Sequence, residues 1–158
     1  MSNDLTAVSL FSGLGGFDLA AEWNGIEILA QVEIDERCNQ FLKSHWPNTS
    51  QYRDIRTFPS EKYAGATLVM GGPPCQPASR AGKQRGKNDD RWLWPETLSV
   101  VERIQPRWCL FENPPGIYDV GLDGILTELG ALGNAIVPQV AYKILKAMIE
   151  VDNGIHGI

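Results

Sequence analysis

The sequence predicts an open α/β fold, a mainly parallel sheet with helices on both faces. Three observations predict it. Short apolar runs of strand length alternate with stretches of helical periodicity. The first run ends in a glycine-rich turn, Ser12-Gly13-Leu14-Gly15-Gly16, that opens directly into a helical stretch. Glu33, Asp54, Cys75 and Glu112 each stand just beyond a strand-like run. In an open parallel sheet the carboxyl ends of the strands are where ligands and chemistry collect.

Residues 6–11 read as the first strand and residues 17–23 as the helix after the turn. A second strand at 26–32 ends at Glu33, twenty residues beyond Gly13. An acid at that distance from the glycines is placed to accept from ribose hydroxyls, a spacing that suits NAD and S-adenosylmethionine equally. Residues 36–45 form a helix with Cys38, Phe41, Leu42 and His45 at helical spacing, which makes them expected core positions, and Trp46-Pro47 ends it. A short third strand at 51–53 leads to Asp54-Ile55, and one short helix is expected within 56–65. The fourth strand, 67–70, delivers the cysteine loop. A helix at 92–104 turns Leu98, Val101 and Ile104 inward, and Trp108-Cys109-Leu110-Phe111 follows as a fifth strand with Cys109 in the core. Further amphipathic helices are expected around 122–129 and 138–149, and residues 151–158 read as a frayed tail after one domain spanning 1–150. The expected strand order is 3-2-1-4-5.

The 158 residues suffice for one domain that buries roughly 70% of its unfolded surface. No apolar run approaches a membrane span, and the first residues lack the basic-then-apolar pattern of a signal peptide, so a cytoplasmic protein is expected. Three cysteines without Cys-x-x-Cys spacing and two histidines support neither a disulfide framework nor a metal site. The net charge of −5 argues against holding nucleic acid by bulk electrostatics. Yet Arg80, Lys83, Arg85, Lys87 and Arg91 outnumber Asp89 and Asp90 between residues 80 and 91. That stretch is either a solvated loop or a clamp on a phosphate backbone.

The loop Gly71-Gly72-Pro73-Pro74-Cys75-Gln76-Pro77-Ala78-Ser79 organises the rest. Two glycines permit close backbone approach, and three prolines fix φ and remove donors, a stiff turn that holds one thiol in place. A carboxylate such as Glu112, leaving a buried strand, is either a satisfied structural acid or a proton donor.

At these residues the chain resembles the cytosine-5 DNA methyltransferases. Gly-Gly-Pro-Pro-Cys-Gln-Pro-x-Ser is similar to the family's nucleophile loop, and Phe11-Ser12-Gly13-Leu14-Gly15-Gly16-Phe17 to its cofactor loop. Glu33, Asp54-Ile55, Glu112-Asn113, Leu93 and Gly133-Asn134-Ala135 match further motifs in the family's order, across roughly residues 5–149. The resemblance implies a Rossmann-like methyltransferase fold, S-adenosyl-L-methionine as cofactor, double-stranded DNA as substrate and a place in restriction-modification. It implies Cys75 as the nucleophile on carbon 6 of a flipped cytosine and Glu112 as the group on ring nitrogen 3. The implied cofactor residues are Phe11, Gly13, Leu14, Gly16, Glu33, Ile34, Asp54, Ile55, Gly72, Pro74, Leu93, Asn134 and Ala135. DNA contacts are implied at Gln76, Ser79, Arg80, Lys83, Arg85 and Lys87.

Two departures from the family stand out. Pro114 replaces the usual valine after Glu112-Asn113, removing a backbone donor, and the chain passes from Leu129 almost directly to Gly133-Asn134. The family's last strands and target recognition domain fall in that gap. The reading is therefore a methyltransferase shortened at its final strands, paired with a second chain or with itself. A remnant that binds S-adenosylmethionine without catalysis is the alternative. An amino methyltransferase using Asn113-Pro114-Pro115 leaves Cys75 unexplained, and nothing beyond the glycines and Glu33 asks for a hydride-transferring oxidoreductase.

Overall fold

The structure is a computed structural model that describes residues 5–74 and 92–112. Within them five strands form one sheet in the order β3-β2-β1-β4-β5, every adjacent pair parallel. This is the expected order. The strands are β1 (Thr6–Leu10), β2 (Glu27–Val32), β3 (Ser50–Tyr52), β4 (Leu68–Gly71) and β5 (Trp108–Phe111). The helices are α1 (Gly16–Glu22), α2 (Glu36–His45) and α3 (Trp94–Ile104). Helices expected at 122–129 and 138–149, and the tail at 151–158, lie outside the described residues.

Strand side chains alternate between two apolar layers. Val8, Leu10, Val69, Cys109 and Phe111 pack with Trp94, Val100, Val101 and Ile104 of α3 and with Ile55 and Phe58. Ala7, Leu68, Met70 and Leu110 pack with Ala20 and Ala21 of α1. The β1–β2 register shifts between Ala7 and Val8. Ile28 therefore joins the α1 layer, whereas Ala30 and Val32 join the α3 layer.

Several local expectations are corrected. On α2 only Leu42 is buried; Cys38 is half-buried, and Phe41 and His45 are exposed and stacked on each other at 3.9 Å. The reason is the narrow seat of α2, whose Leu42 and Trp46 close over Gly15 beside a three-residue edge strand. Too little surface lies beneath for a wide inward stripe. Residues 56–65 hold no single helix: Asp54 caps one 3-10 turn, Ile55–Thr57, and Pro59 opens a second, Ser60–Tyr63. Helix α3 starts at Trp94, with proline in its first turn. Its inward face includes Thr97 and Val100 besides Val101 and Ile104, while Leu98 is partly buried against the core. No helix among the described residues is long and apolar enough to cross a membrane.

Candidate active site

All five strands point the same way, so their carboxyl ends line one edge of the sheet and bring together segments far apart in sequence. After β1 the backbone turns sharply, with positive φ at Phe11 (52°), Gly13 (56°) and Gly15 (79°). Gly15 also has no room for a side chain, because a Cβ there would lie 2.5 Å from the Trp46 ring. A Cβ on Gly13 or Gly16 would meet nothing within 4 Å. The loop thus presents backbone to open space.

Glu33, at the end of β2, is held on both carboxylate oxygens. Gly13 N donates to Oε2 at 2.8 Å and Asp35 N to Oε1 at 2.8 Å. The backbone around it is tied as well, Glu33 N to the Tyr52 carbonyl at 3.0 Å and Asn39 Nδ2 to the Glu33 carbonyl at 2.6 Å. A carboxylate accepts about four hydrogen bonds, so the two already made leave roughly two for a ligand. Leu14 and Ile34 flank this acid and are 63% and 65% exposed, a costly place for large apolar side chains unless something covers them.

Asp35 caps α2 by accepting from Arg37 N and Cys38 N, each at 2.9 Å. The Cys38 amide is the main reason its carboxyl sits below the usual range. Asp54 is likewise engaged, Oδ1 taking Arg56 N at 2.9 Å and Oδ2 lying 3.6 Å from the Arg56 guanidinium. Arg56 in turn lies 3.8 Å from Glu96 on α3, whose second oxygen is buried with no hydrogen-bond partner among the described residues. The Ile55 side chain is buried in the α3 layer, so only its backbone can face a ligand. Phe11 and Leu93 pack against the same layer.

At the other end of the row, β4 and β5 run in register from Leu68↔Trp108 to Gly71↔Phe111, and Glu112 N donates to the Gly71 carbonyl at 3.0 Å. This places Glu112, which is exposed, against Gly72: a Cβ there would sit 3.6 Å from Oε2. Pro74 is half-buried. Cys75, Gln76, Ser79, Arg80, Lys83, Arg85, Lys87, Asn134 and Ala135 lie outside the described residues.

One group escaped the sequence reading altogether. Asp18 in the first turn of α1 is fully buried and accepts from Ser9 Oγ and Gln31 Nε2, both at 2.9 Å. Its three-residue spacing from Ala21 on a helix was the available signal, an acid on the inward stripe.

The model of the C-5 cytosine-specific DNA methylase family matches residues 5–129, most of the chain. The chain belongs to this family. Among its relatives, Type II methyltransferase M.NgoMIV of Neisseria gonorrhoeae is 36% identical over 115 residues, covering 72% of this chain and 37% of that protein. M.HgiCII of Herpetosiphon aurantiacus is 34% identical over 148 residues, 89% of this chain and 32% of that protein. Solved structures agree on the fold. A putative DNA modification methyltransferase from an E. coli prophage superposes with a TM-score of 0.64 at 29% identity, over 82% of this chain and 37% of that one. DNMT2 of Spodoptera frugiperda gives 0.65 at 26%, over 82% and 41%. The Rossmann-like fold is thus shared with DNA methyltransferases, while this C-5 cytosine methylase chain spans only about a third of the length of these two curated relatives.

Proposed function

We propose that the chain carries the cofactor and nucleophile half of a DNA (cytosine-5-)-methyltransferase, within one reduced domain over residues 1–150. The observation that carries the reading is the Gly13–Glu33–Asp35 arrangement at the mouth of a parallel sheet, in a chain of this family. The residues present fit S-adenosyl-L-methionine. Glu33 keeps acceptor capacity for two ribose hydroxyls, Leu14 and Ile34 offer apolar surface to an adenine, and the open backbone at Gly13 and Gly16 leaves room for the amino-acid end. Asp54 and the Ile55 backbone, Gly72, Pro74, Phe11, Leu93, Asn134 and Ala135 complete the lining in this reading. When bound, the cofactor supplies an electrophilic methyl group.

The protein's own residues do the rest. The Cys75 thiolate adds to carbon 6 of an extruded cytosine, which makes carbon 5 an enamine nucleophilic enough to take the methyl. Loss of the carbon 5 proton then expels the thiolate and restores the ring. Glu112, beside Gly72 and so beside the cysteine loop, holds or protonates ring nitrogen 3 and draws electrons from the ring as the thiolate attacks. Gln76, Ser79, Arg80, Lys83, Arg85 and Lys87 hold the phosphate backbone of the duplex.

Glu33→Ala is expected to weaken S-adenosylmethionine binding by about 1.5–3 kcal/mol, roughly ten- to a hundredfold, because it removes hydrogen bonds to a charged group. Calorimetry at fixed salt checks it. A wild-type chain that gives no isotherm with this cofactor but a clear one with NAD overturns the cofactor assignment.

A second reading, a cofactor-binding piece that needs another chain for turnover, is favoured by one observation. Among the described residues β5 is the edge of the sheet, with Glu112 at its tip. An edge strand offers unpaired backbone to an added strand, from a second copy or from a chain with a basic DNA-reading surface. Labelled methyl transfer to mixed-sequence DNA, run alongside sedimentation, separates the readings. Efficient transfer by a strict monomer excludes the need for a second chain.

A further inference from the structure

Ser9, Gln31 and Gln51 stand opposite one another across β1, β2 and β3, Ser9 paired with Gln31 and Gln31 with Gln51. They form a polar row in a sheet otherwise packed mainly with apolar side chains, and Ser9, Gln31 and Asp18 are all fully buried. The hydrogen bonds have one direction. Gln51 Nε2 donates to Gln31 Oε1 at 3.2 Å, Gln31 Nε2 donates to Asp18 Oδ1, and Ser9 Oγ donates to Asp18 Oδ2. The row ends on an acceptor, as an ionised carboxylate requires. The Ser9 carbonyl then takes the Ser12 hydroxyl at 3.2 Å, and Ser12 N reaches the Val32 carbonyl at 3.1 Å, one residue before Glu33.

We infer that Asp18 is a positioning residue for the glycine-rich loop, tying its base to the sheet from beneath and so fixing the geometry in which Gly13 and Glu33 receive the cofactor. The inference rests on the cofactor reading above for its purpose, though not for its mechanics. A buried acid with polar partners is a poor way to gain stability, since apolar side chains of similar volume commonly do as well or better. Its place beneath the glycine-rich loop points instead to geometry.

The charge makes the device sensitive to pH. Burial raises the Asp18 carboxyl above the ordinary carboxylate range; the Gln31 and Ser9 hydrogen bonds oppose this, and Glu22 one turn along α1 adds to it. From β1, β2 and β3 the row that faces it, Ser9, Gln31 and Gln51, is uncharged. Glu33 is bonded to the loop itself, through Gly13 N. A raised acid contributes stability that is full below its unfolded value and lost as pH rises through the folded one. Once ionised, Asp18 therefore costs stability while holding the loop.

The test is amide hydrogen exchange of residues 11–16 in the full chain without cofactor, corrected for intrinsic rates, together with thermal melts and cofactor calorimetry. In Asp18→Asn at pH 8 loop exchange is expected to rise roughly tenfold and cofactor affinity to fall by a similar factor, with no loss of melting temperature. In the wild type, exchange should rise as acidification protonates Asp18, and Asp18→Asn should flatten that response. Ser9→Ala, which removes one donor, should give a smaller rise and keeps the test open if Asp18→Asn does not fold. Unchanged loop exchange in the variants overturns the inference, as does a pH response that survives in Asp18→Asn. Loop exchange that responds as described in a chain that binds no cofactor supports the positioning role and removes the cofactor reading instead.

Discussion

With Cys75 as the proposed nucleophile, the chain is expected to form a covalent band with DNA carrying 5-fluorocytosine, and Cys75→Ser to abolish it and to lower methyl transfer by roughly a thousandfold or more. A free thiol with a pKa of about 8.5 already holds a small thiolate fraction near neutrality, whereas a serine hydroxyl holds almost none. In the proposed mechanism, addition to carbon 6 forms the carbon–sulfur bond and moves an electron pair to carbon 5, which takes the methyl. Fluorine at carbon 5 cannot then leave as a proton does, so the adduct is trapped. Neither remaining cysteine can substitute. Cys109 is 1% exposed on β5 in the core, and burial pushes its thiol up to about 12. Cys38 is half-buried on α2, its thiol raised first by desolvation and then by its bond to Asp35. Cofactor affinity should be retained in Cys75→Ser, which separates a lost nucleophile from a lost fold. A covalent band that persists in this variant on a denaturing gel means that another group attacks the base.

The strand order was legible because each segment carried a local signal that agreed with its neighbours: a glycine turn after β1, acids after β2 and β3, a helix between β4 and β5. The bounds of α2 and β5 followed from the same patterns. What was not legible depended on three-dimensional neighbours. Helical spacing put Cys38, Phe41 and His45 on one face, but spacing does not say how wide a seat lies beneath. Ser9, Gln31 and Gln51 read as ordinary polar residues until the β1–β2–β3 register brought them into one row over Asp18. Asp54 illustrates the reverse. Its place at a strand end was correct, yet the carboxylate is already occupied by the Arg56 amide and guanidinium, a capping duty that sequence position cannot separate from ligand contact.

Gly71→Ala is expected to be the most damaging single methyl in the described structure. Gly71 pairs with Leu10 across β1 and β4 at the last rung before the glycine-rich loop and the cysteine loop. A Cβ there would fall onto the Leu10 carbonyl, with the oxygen deep inside contact distance, the carbonyl carbon at 2.9 Å and the Leu10 Cβ at 3.2 Å. The obstacle is backbone, which no rotamer change can move aside. Leu10 cannot retreat easily either, because the next residue, Phe11, is already at a φ of 52° and leads into the glycine turn. The strands must part at this rung, at a cost of about 3 kcal/mol or more. For a domain of this size that is a fall in Tm on the order of 10 °C. Gly72→Ala provides the contrast, since its Cβ would meet only Glu112, at 3.6 Å from Oε2 and 3.7 Å from the carbonyl oxygen, both ordinary contacts. It should change stability by less than about 1 kcal/mol. Thermal melts of the pair decide the matter. Equal melting temperatures for Gly71→Ala and the wild type would mean that β1 and β4 do not meet at Leu10 and Gly71, and that the cofactor loop and the cysteine loop are not held side by side by this rung.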